Sequence, residues 1–141
     1  MKRILGVDPG IVRTGISVSD LSCTLASGVG TIVAYNEEKL ISQVSLYAAQ
    51  FDVDKIVVGY PLNMDGTEGP RSIYVKGIAE KIAEATGCEV ILFDERMTTV
   101  VAFEYMNATN TRGKKRKKKI DTLAAEIILQ DYLDSLKNKL N

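Results

Sequence analysis

The order of its apolar segments constrains this sequence most. Three β-rich segments lie between Arg3 and Val33, and helical and strand-like patterns alternate after them. One later segment, Lys55 to Gly59, has an apolar centre without polar alternation, which is typical of a central strand covered on both faces. A three-strand meander followed by alternating helices and strands predicts a mixed sheet with helices on both faces.

The pattern predicts five strands and four helices. The strands are expected at 4–7, 15–19, 26–33, 55–59 and 90–93, and the helices at 36–51, 70–86, about 98–106 and about 120–136. Asn36 is the expected cap of the first helix, whose apolar positions are Leu40, Ile41, Val44, Tyr47, Ala48 and Phe51. The expected apolar stripes are Ile73, Gly77, Ile78, Ile82 and Ala85 in the second helix, and Ile120, Leu123, Ala124, Ile127 and Ile128 in the last. This order is that of the α/β ribonuclease H-like fold, with three antiparallel and two parallel strands.

Composition narrows the function classes. A chain of 141 residues, 45% of them hydrophobic, is expected to form one soluble domain over 1–141 without a membrane span. A carboxylate at Asp8 interrupts any signal-peptide pattern, and two dispersed cysteines, Cys23 and Cys88, are expected to be core thiols of a reducing cytoplasm. Histidine is absent, which excludes Ser-His-Asp and Cys-His nucleophile systems.

Carboxylates at the ends of predicted elements are the candidate catalytic groups. Asp8 and the pair Asp94–Glu95 follow apolar strands, and Asp121 opens the last helix. Strand ends meet at a cleft in α/β sheets, so these acids can converge there. A cluster of acids without a base needs a cation, and oxygen ligands favour Mg²⁺ or Mn²⁺. Two such ions roughly 3.5–4 Å apart can activate a water and stabilise the leaving oxygen of a phosphodiester.

Each acid also has a structural interpretation. Asp8 before Pro9 and Gly10 can stabilise a turn, and Asp121 can complement a helix dipole. Asp94, Glu95 and Arg96 can form a solvated loop with an internal ion pair. Only the conjunction of the three positions favours catalysis.

A basic segment concentrates the positive charge. The segment contains seven of the 18 basic residues: Arg112, Lys114, Lys115, Arg116, Lys117, Lys118 and Lys119. The rest of the chain has 11 basic and 18 acidic residues. In a loop before a helix N-terminus, these positive charges repel one another and the positive end of the helix dipole. A bound phosphate backbone would offset this repulsion. A solvated loop and a localisation-type signal are the alternatives.

Two further arginines are candidate phosphate ligands. Arg71 follows a loop with Asn63, Gly66 and Gly69 that either cradles phosphate or simply connects a strand to a helix. Arg13 either faces the cleft or is an ordinary turn cation. Aromatic residues are few and tryptophan is absent, so the sequence favours recognition through backbone and shape over base stacking.

Four motifs in order resemble the bacterial YqgF (RuvX-like) family over nearly the whole chain. They are Gly6-Val7-Asp8-Pro9-Gly10 with Arg13, Gly15, Ser19 and Asp20; Val57-Val58-Gly59-Tyr60-Pro61 with Gly66, Gly69 and Pro70; Asp94-Glu95-Arg96-Met97-Thr98-Thr99; and Lys117-Lys118-Lys119-Ile120-Asp121 with Ala124, Ala125, Ile128, Leu129, Gln130, Tyr132 and Leu133. The family is described as Holliday-junction resolvases and pre-16S rRNA nucleases with a ribonuclease H-like fold.

The resemblance implies a cytoplasmic, metal-dependent endonuclease of rRNA maturation. It makes Asp8, Glu95 and Asp121 the acidic triad, with Asp94 a neighbour and with Arg96 and Thr98 in support. Tyr60 departs from the leucine common in the family. Related RuvC-type resolvases place a glutamate after the central strand. Because this chain has Tyr60 there, the second acid must come from Glu95 instead.

The resulting hypothesis is phosphodiester hydrolysis of precursor rRNA, with branched DNA as the alternative, by a monomer or homodimer. A contact to the 2′-hydroxyl distinguishes RNA from DNA. A nucleic-acid-binding factor without catalysis would keep the basic segment without needing Asp8. A sugar-kinase or actin-like ATPase also uses an aspartate-glycine hairpin, but it needs two such domains.

Overall fold

The computed structural model describes residues 2–94 and 113–140, with side chains described for 2–94 and 122–138. Eight elements follow one another along these stretches: β1 (Arg3–Asp8), β2 (Arg13–Ser19), β3 (Ala26–Val33), α1 (Glu37–Gln50), β4 (Val53–Tyr60), α2 (Pro70–Thr86), β5 (Glu89–Asp94) and α3 (Gly113–Leu140). Within these stretches no helix is long and apolar enough to cross a membrane.

The five strands form one mixed sheet in the order β3-β2-β1-β4-β5. The β1–β2 and β2–β3 pairs are antiparallel, whereas β4 runs parallel to both β1 and β5. The predicted sheet of three antiparallel and two parallel strands is therefore confirmed. Because β1, β4 and β5 are parallel, their carboxyl ends share one edge of the sheet.

Each face of the sheet buries its own apolar cluster. Leu5, Val7, Ile56 and Val58 point to the face covered by α1 and α2. The strand neighbours between them, such as Ile4 and Val57, point to the face covered by α3. Side chains alternate across a regular strand, so this division assigns a face to each residue of 4–8 and 56–60. At the start of the β1–β4 ladder the register shifts, and Val53 packs in the cluster on the α1–α2 face.

Helix α1 follows its predicted cap and ends one residue earlier than predicted, and α2 has its predicted bounds. The Asn36 Oδ1 accepts a hydrogen bond of 2.8 Å from the Lys39 amide, and α1 buries Leu40, Val44 and Ala48. Pro70 is the first residue of α2, and Gly87 ends it in the left-handed conformation at φ 73°.

The predicted inner face of α2 is partly wrong. Ile78 and Ile82 are buried as expected, but Ile73 is 62% exposed. Five positions separate Ile73 from Ile78, which places it about 140° away around a helix of 3.6 residues per turn. Ala85 is also exposed, in the last turn of α2, and the helix instead buries Ser72, Val75 and Ala79.

Helix α3 differs from its prediction in two ways. It begins at Gly113 rather than near Ile120, so the basic segment from Lys114 onward is helical and not a loop. Over 122–138, where its side chains are described, the fully buried residues are Ala125, Ile128, Leu129 and Leu133, whereas the predicted Leu123, Ala124 and Ile127 are only half-buried. The side chain of Ile120 and the predicted helix at 98–106 lie outside the described residues.

The inward stripe of α3 is set by the surface that it covers. A Cβ at Gly6 would lie 2.9 Å from the Leu129 Cβ and 3.2 Å from the Ala125 carbonyl oxygen. A Cβ at Gly28 would lie 2.0 Å from the Thr122 Cγ2. These glycines let the helix approach the sheet closely, and the helix sequence alone contains no information about them.

Both cysteines are free thiols. Each is half-buried beside an apolar cluster, Cys23 on the α3 face and Cys88 on the opposite face. They were expected to be core residues, and they pack at the margins of the core.

Candidate functional site

Asp8 is the last residue of β1 and is half-buried. Ile4 contributes to the cluster beneath α3 and Gly6 approaches α3, so strand alternation assigns Asp8 to the α3 face as well. The carboxylate therefore stands at the carboxyl edge of the parallel strands, on the side of the sheet that α3 covers.

Glycines flank Asp8 on both neighbouring strands. Asp8 pairs with Gly15 of β2, and the parallel register that pairs Val7 with Val58 continues to Gly59 of β4. Both glycines are buried. Because neither glycine carries a side chain, neither neighbouring strand position adds a side chain beside Asp8.

Helix α3 runs with its N-terminus toward the Asp8 edge. The Thr122 and Thr31 hydroxyls lie 3.4 Å apart, and the Ser17 hydroxyl donates to the Ala125 carbonyl at 2.8 Å. Farther along the helix, Gln130 accepts from the Ala26 amide at 2.9 Å, at the opposite end of the sheet.

This direction fixes the backbone position of Asp121, although its side chain lies outside the described residues. Asp121 is one helical turn before Ala125, which packs over Gly6. Its backbone therefore occupies the N-terminal half of α3, at the same end of the same face as Asp8.

Asp94 is the last residue of β5. Phe93 faces α3, where its ring meets Tyr132 edge-on at 6.3 Å, and Leu92 faces the other side. Alternation therefore assigns Asp94 to the α1–α2 face, opposite to Asp8. Glu95, together with Arg96 and Thr98, lies outside the described residues.

Arg13 lies on the α3 face near Asp8. It shares this face with Ser17 by strand alternation, two residues beyond the Gly15 that pairs with Asp8. Its Nη1 is buried and has no hydrogen-bond partner among the described residues. Such a donor is costly to leave unsatisfied, so an anion at this position would stabilise it.

Arg71 connects the N-terminus of α2 to the chain just after Asp8. Its Nη2 donates a short hydrogen bond to the Pro9 carbonyl, and its guanidinium lies 5.6 Å from the centre of the Tyr74 ring. Part of its donor capacity is therefore used inside the protein. The described geometry gives Arg71 a role in holding Pro9 and leaves its predicted phosphate contact untested.

The loop between β4 and α2 is organised by its own side chains. Asp65 accepts from the Thr67 amide and hydroxyl at 3.0 and 2.6 Å, and Gly66 adopts φ 89°. The Tyr60 hydroxyl donates to Glu68 at 2.6 Å, and this hydrogen bond raises the pKa of Tyr60. Two carboxylates in the loop weaken the predicted phosphate cradle, because they repel an anion.

The basic segment precedes the part of α3 that contacts the sheet. The described side-chain contacts of α3 with the sheet begin at Thr122, whereas Lys114, Lys115, Arg116, Lys117 and Lys118 belong to its first two turns. Since α3 points its N-terminus toward the Asp8 edge, the backbone of this segment is placed at that end of the molecule.

The donor chemistry fits a hard divalent cation. The three predicted ligands are carboxylates, the chain has no histidine, and glycines flank Asp8. Among the residues that the structure describes, no group of three histidine, cysteine, aspartate or glutamate side chains could hold a metal. The side chains of two of the three predicted ligands, Glu95 and Asp121, lie outside the described residues.

Sequence reasoning missed the glycine pair around Asp8, because cross-strand register is not visible in one strand. It also missed the role of Arg71 in holding Pro9. No signal in the sequence indicates that contact, since the two residues are 62 positions apart.

Comparison with known proteins identifies the family. The family model described as "RuvX: Holliday junction resolvase" matches residues 2–135. A Bacillus cytotoxicus protein named "Putative pre-16S rRNA nuclease" is 45% identical over 94% of this chain and 98% of its own length. A Chloroflexus aggregans protein of the same name is 38% identical over 97% of this chain and 96% of its own length.

Solved structures support the fold. Thermus thermophilus RuvC in complex with a Holliday junction has a TM-score of 0.59 and 16% identity, covering 97% of this chain and 96% of that one. The fowlpox virus resolvase bound to a Holliday junction has a TM-score of 0.60 and 13% identity, covering 95% of this chain and 98% of the resolvase chain. The ribonuclease H-like fold and the resemblance drawn from the motifs are therefore confirmed, and the chain belongs to the RuvX family of hydrolytic nucleases.

Proposed function

We propose that this protein is a divalent-metal-dependent endonuclease that cleaves precursor 16S rRNA. One observation carries the proposal: Asp8 and the N-terminal half of α3, which includes Asp121, lie at the same end of the same face of the sheet. In the sequence, Glu95 is the residue that follows Asp94, the last residue of β5. We assign Asp8, Glu95 and Asp121 as the catalytic acids and metal ligands.

Asp8, Glu95 and Asp121 would hold Mg²⁺ or Mn²⁺, one ion or two, which would supply the charge that activates water and stabilises the leaving oxygen. The chain itself binds and orients the substrate. Arg13 offers its buried Nη1 to a phosphate oxygen, Arg96 and Thr98 support the site, and Arg71 keeps Pro9 in place beside Asp8. The basic residues of α3 hold the backbone of the nucleic acid through charge.

Precursor rRNA is the preferred substrate because relatives at 38–45% identity over nearly the whole chain carry that name. The second candidate is a four-way DNA junction, which the family's description favours. A cytoplasmic location fits both substrates. The protein acts as one domain over 1–141, as a monomer or homodimer; a dimer would suit a two-fold junction.

A paired cleavage assay tests the proposal. Purified protein is incubated with Mn²⁺ and either a pre-16S rRNA fragment or a four-way DNA junction. We expect RNA cleavage that is lost in Asp8→Asn and retained in Asp54→Asn, an exposed acid of β4. Junction cleavage beside inert RNA would overturn the choice of substrate, and full activity of Asp8→Asn would overturn the catalytic assignment.

A further inference from the structure

Three apolar side chains stand exposed at the Asp8 end of the sheet. Ile11 in the β1–β2 loop is 81% exposed, Tyr35 after β3 is 82% exposed, and Val33 at the end of β3 is 41% exposed. An aromatic ring exposed to this extent gains nothing from burial within the chain. It therefore has its contact surface available to a ligand.

The β-ladder brings these residues together. Val33 pairs with Arg13, and the Ala34 amide donates to the Val12 carbonyl at 2.9 Å, which extends the β2–β3 ladder by one residue. Ile11 precedes Val12 and Tyr35 follows Ala34, so they are the next residues beyond this end of the ladder. The exposed patch of Ile11, Val33 and Tyr35 is thus contiguous with Arg13.

The patch lies within reach of a strand bound at Asp8. Asp8 pairs with Gly15, and Gly15 pairs with Thr31, so Tyr35 is two strands across and four residues along from Asp8. Strand spacing and rise put the two Cα atoms roughly 16 Å apart. A few nucleotides of an extended chain span that distance.

Charge around the patch favours a polyanion that also offers an apolar face. Arg13, whose buried Nη1 has no hydrogen-bond partner in the described parts of the chain, adjoins the patch, and the acid Glu37 nearby forms an ion pair with Lys81. Glu38 is exposed and opposes a phosphate, so attraction to Tyr35 itself must come from stacking rather than from charge. Unpaired bases combine a π-face with a phosphate chain in this way.

We propose that Tyr35 is a stacking platform for an unpaired base of the nucleic acid strand cleaved at Asp8, with Ile11 packing beside that base. The inference rests on the proposed nuclease function and deepens it: the substrate carries an unpaired segment next to the scissile phosphate. Recognition then includes base stacking, which the low aromatic content argued against.

The test uses the inactive full-length Asp8→Asn protein, so that binding is read without cleavage. The probe is an RNA hairpin with a single-stranded extension, in which 2-aminopurine replaces one base at successive positions. We expect fluorescence quenching at one position in the extension. Tyr35→Ala should abolish it and raise Kd about ten-fold, Tyr35→Phe should retain it, and Ile11→Ser should weaken it.

The matched control is Leu46→Ala, which truncates a different exposed apolar side chain, 60% exposed on α1. It should change neither Kd nor quenching. A fully paired duplex should bind equally well to the Asp8→Asn protein with and without Tyr35→Ala. Unchanged Kd and quenching for Tyr35→Ala on the extended hairpin would overturn the stacking site. So would Tyr35-dependent dimerisation in sedimentation, which would assign the patch to a second copy of the chain.

Failure of the proposed function has a separate signature. If wild-type protein cleaves neither substrate but quenching still depends on Tyr35, the stacking site stands and the nuclease proposal falls. If the wild-type protein cleaves RNA but neither Kd nor quenching depends on Tyr35, the nuclease proposal stands and the stacking site falls.

Discussion

Gly6 is the residue at which the sheet and the proposed site depend on the absence of a side chain. A Cβ here would lie 2.3 Å from the Ser17 hydroxyl and 2.9 Å from the Leu129 Cβ. Ser17 in turn donates to the Ala125 carbonyl. A single methyl group would therefore displace α3, and with it the backbone of Asp121.

We expect Gly6→Ala to lower the free energy of unfolding by about 1–3 kcal/mol, the usual cost of overpacking a core. Cleavage should fall more than stability alone explains, because α3 shifts relative to Asp8. Gly77→Ala is the control: a Cβ there meets nothing within 4 Å, and alanine should stabilise α2 by up to about 1 kcal/mol. Urea denaturation of both variants checks this, and equal stability of the two would be evidence against the close approach.

The Tyr60–Glu68 hydrogen bond gives a prediction about pH. The phenol donates to the carboxylate, which favours the neutral phenol and raises the pKa of Tyr60 above 10.0. The resulting stabilisation is complete below pH 10 and is lost as pH rises through the folded-state pKa.

Glu68→Gln should lower the pKa of Tyr60 toward its ordinary value, as followed by phenolate absorbance. Subtracting the titration of Tyr60→Phe isolates this residue from the other tyrosines. An unchanged Tyr60 titration in Glu68→Gln would mean that the hydrogen bond is not formed in solution.

At the scale of elements, α3 departs most from the sequence-based expectation. The helical part of the basic segment, from Lys114 to Lys119, forms its first two turns, where like charges and the helix dipole oppose helix formation. Local pattern favours a loop there for the same reason. Because the helix begins at Gly113, the basic residues in its first turns carry an electrostatic cost. An anionic ligand would offset that cost.

Neutralising the segment tests this role. The variant combines Lys114→Gln, Lys115→Gln, Lys117→Gln and Lys118→Gln. We expect stability at low salt to rise by a few tenths of a kcal/mol for each charge removed. RNA affinity should fall, and the slope of log K against log salt should flatten by up to about 0.9 per lost phosphate contact on a duplex.

The control for this variant is Lys39→Gln with Lys76→Gln, which removes exposed lysines of α1 and α2. It should leave both affinity and salt dependence nearly unchanged. Equal losses in the two variants would mean that general charge, and not the N-terminal part of α3, binds the nucleic acid.

For the molecule as a whole, the sequence contained most of the fold. The mixed sheet followed from the meander and the alternation after it, and a cap such as Asn36 was predictable because it acts locally. The inner faces of α2 and α3 were not, since they depend on what each helix covers. Gly6 and Gly28 determine that surface for α3 from more than 90 residues away.

The candidate site was predictable to a similar extent. Asp8 was identified from its position after an apolar strand, and the structure places it at the carboxyl edge beneath α3. The flanking glycines, the Arg71–Pro9 contact and the exposed Tyr35 were not predicted, because each arises from register or from long-range packing. The side chains of Glu95 and Asp121 stay predictions of the sequence alone.

We propose that Asp8, Glu95 and Asp121 converge on one site for a divalent cation. The most direct measurement is a crystal structure of the protein soaked in Mn²⁺, with the ions located by anomalous scattering. We predict an anomalous peak within about 2.2 Å of carboxylate oxygens from these three residues. A peak bound elsewhere, with the three carboxylates too far apart to share an ion, would contradict the claim.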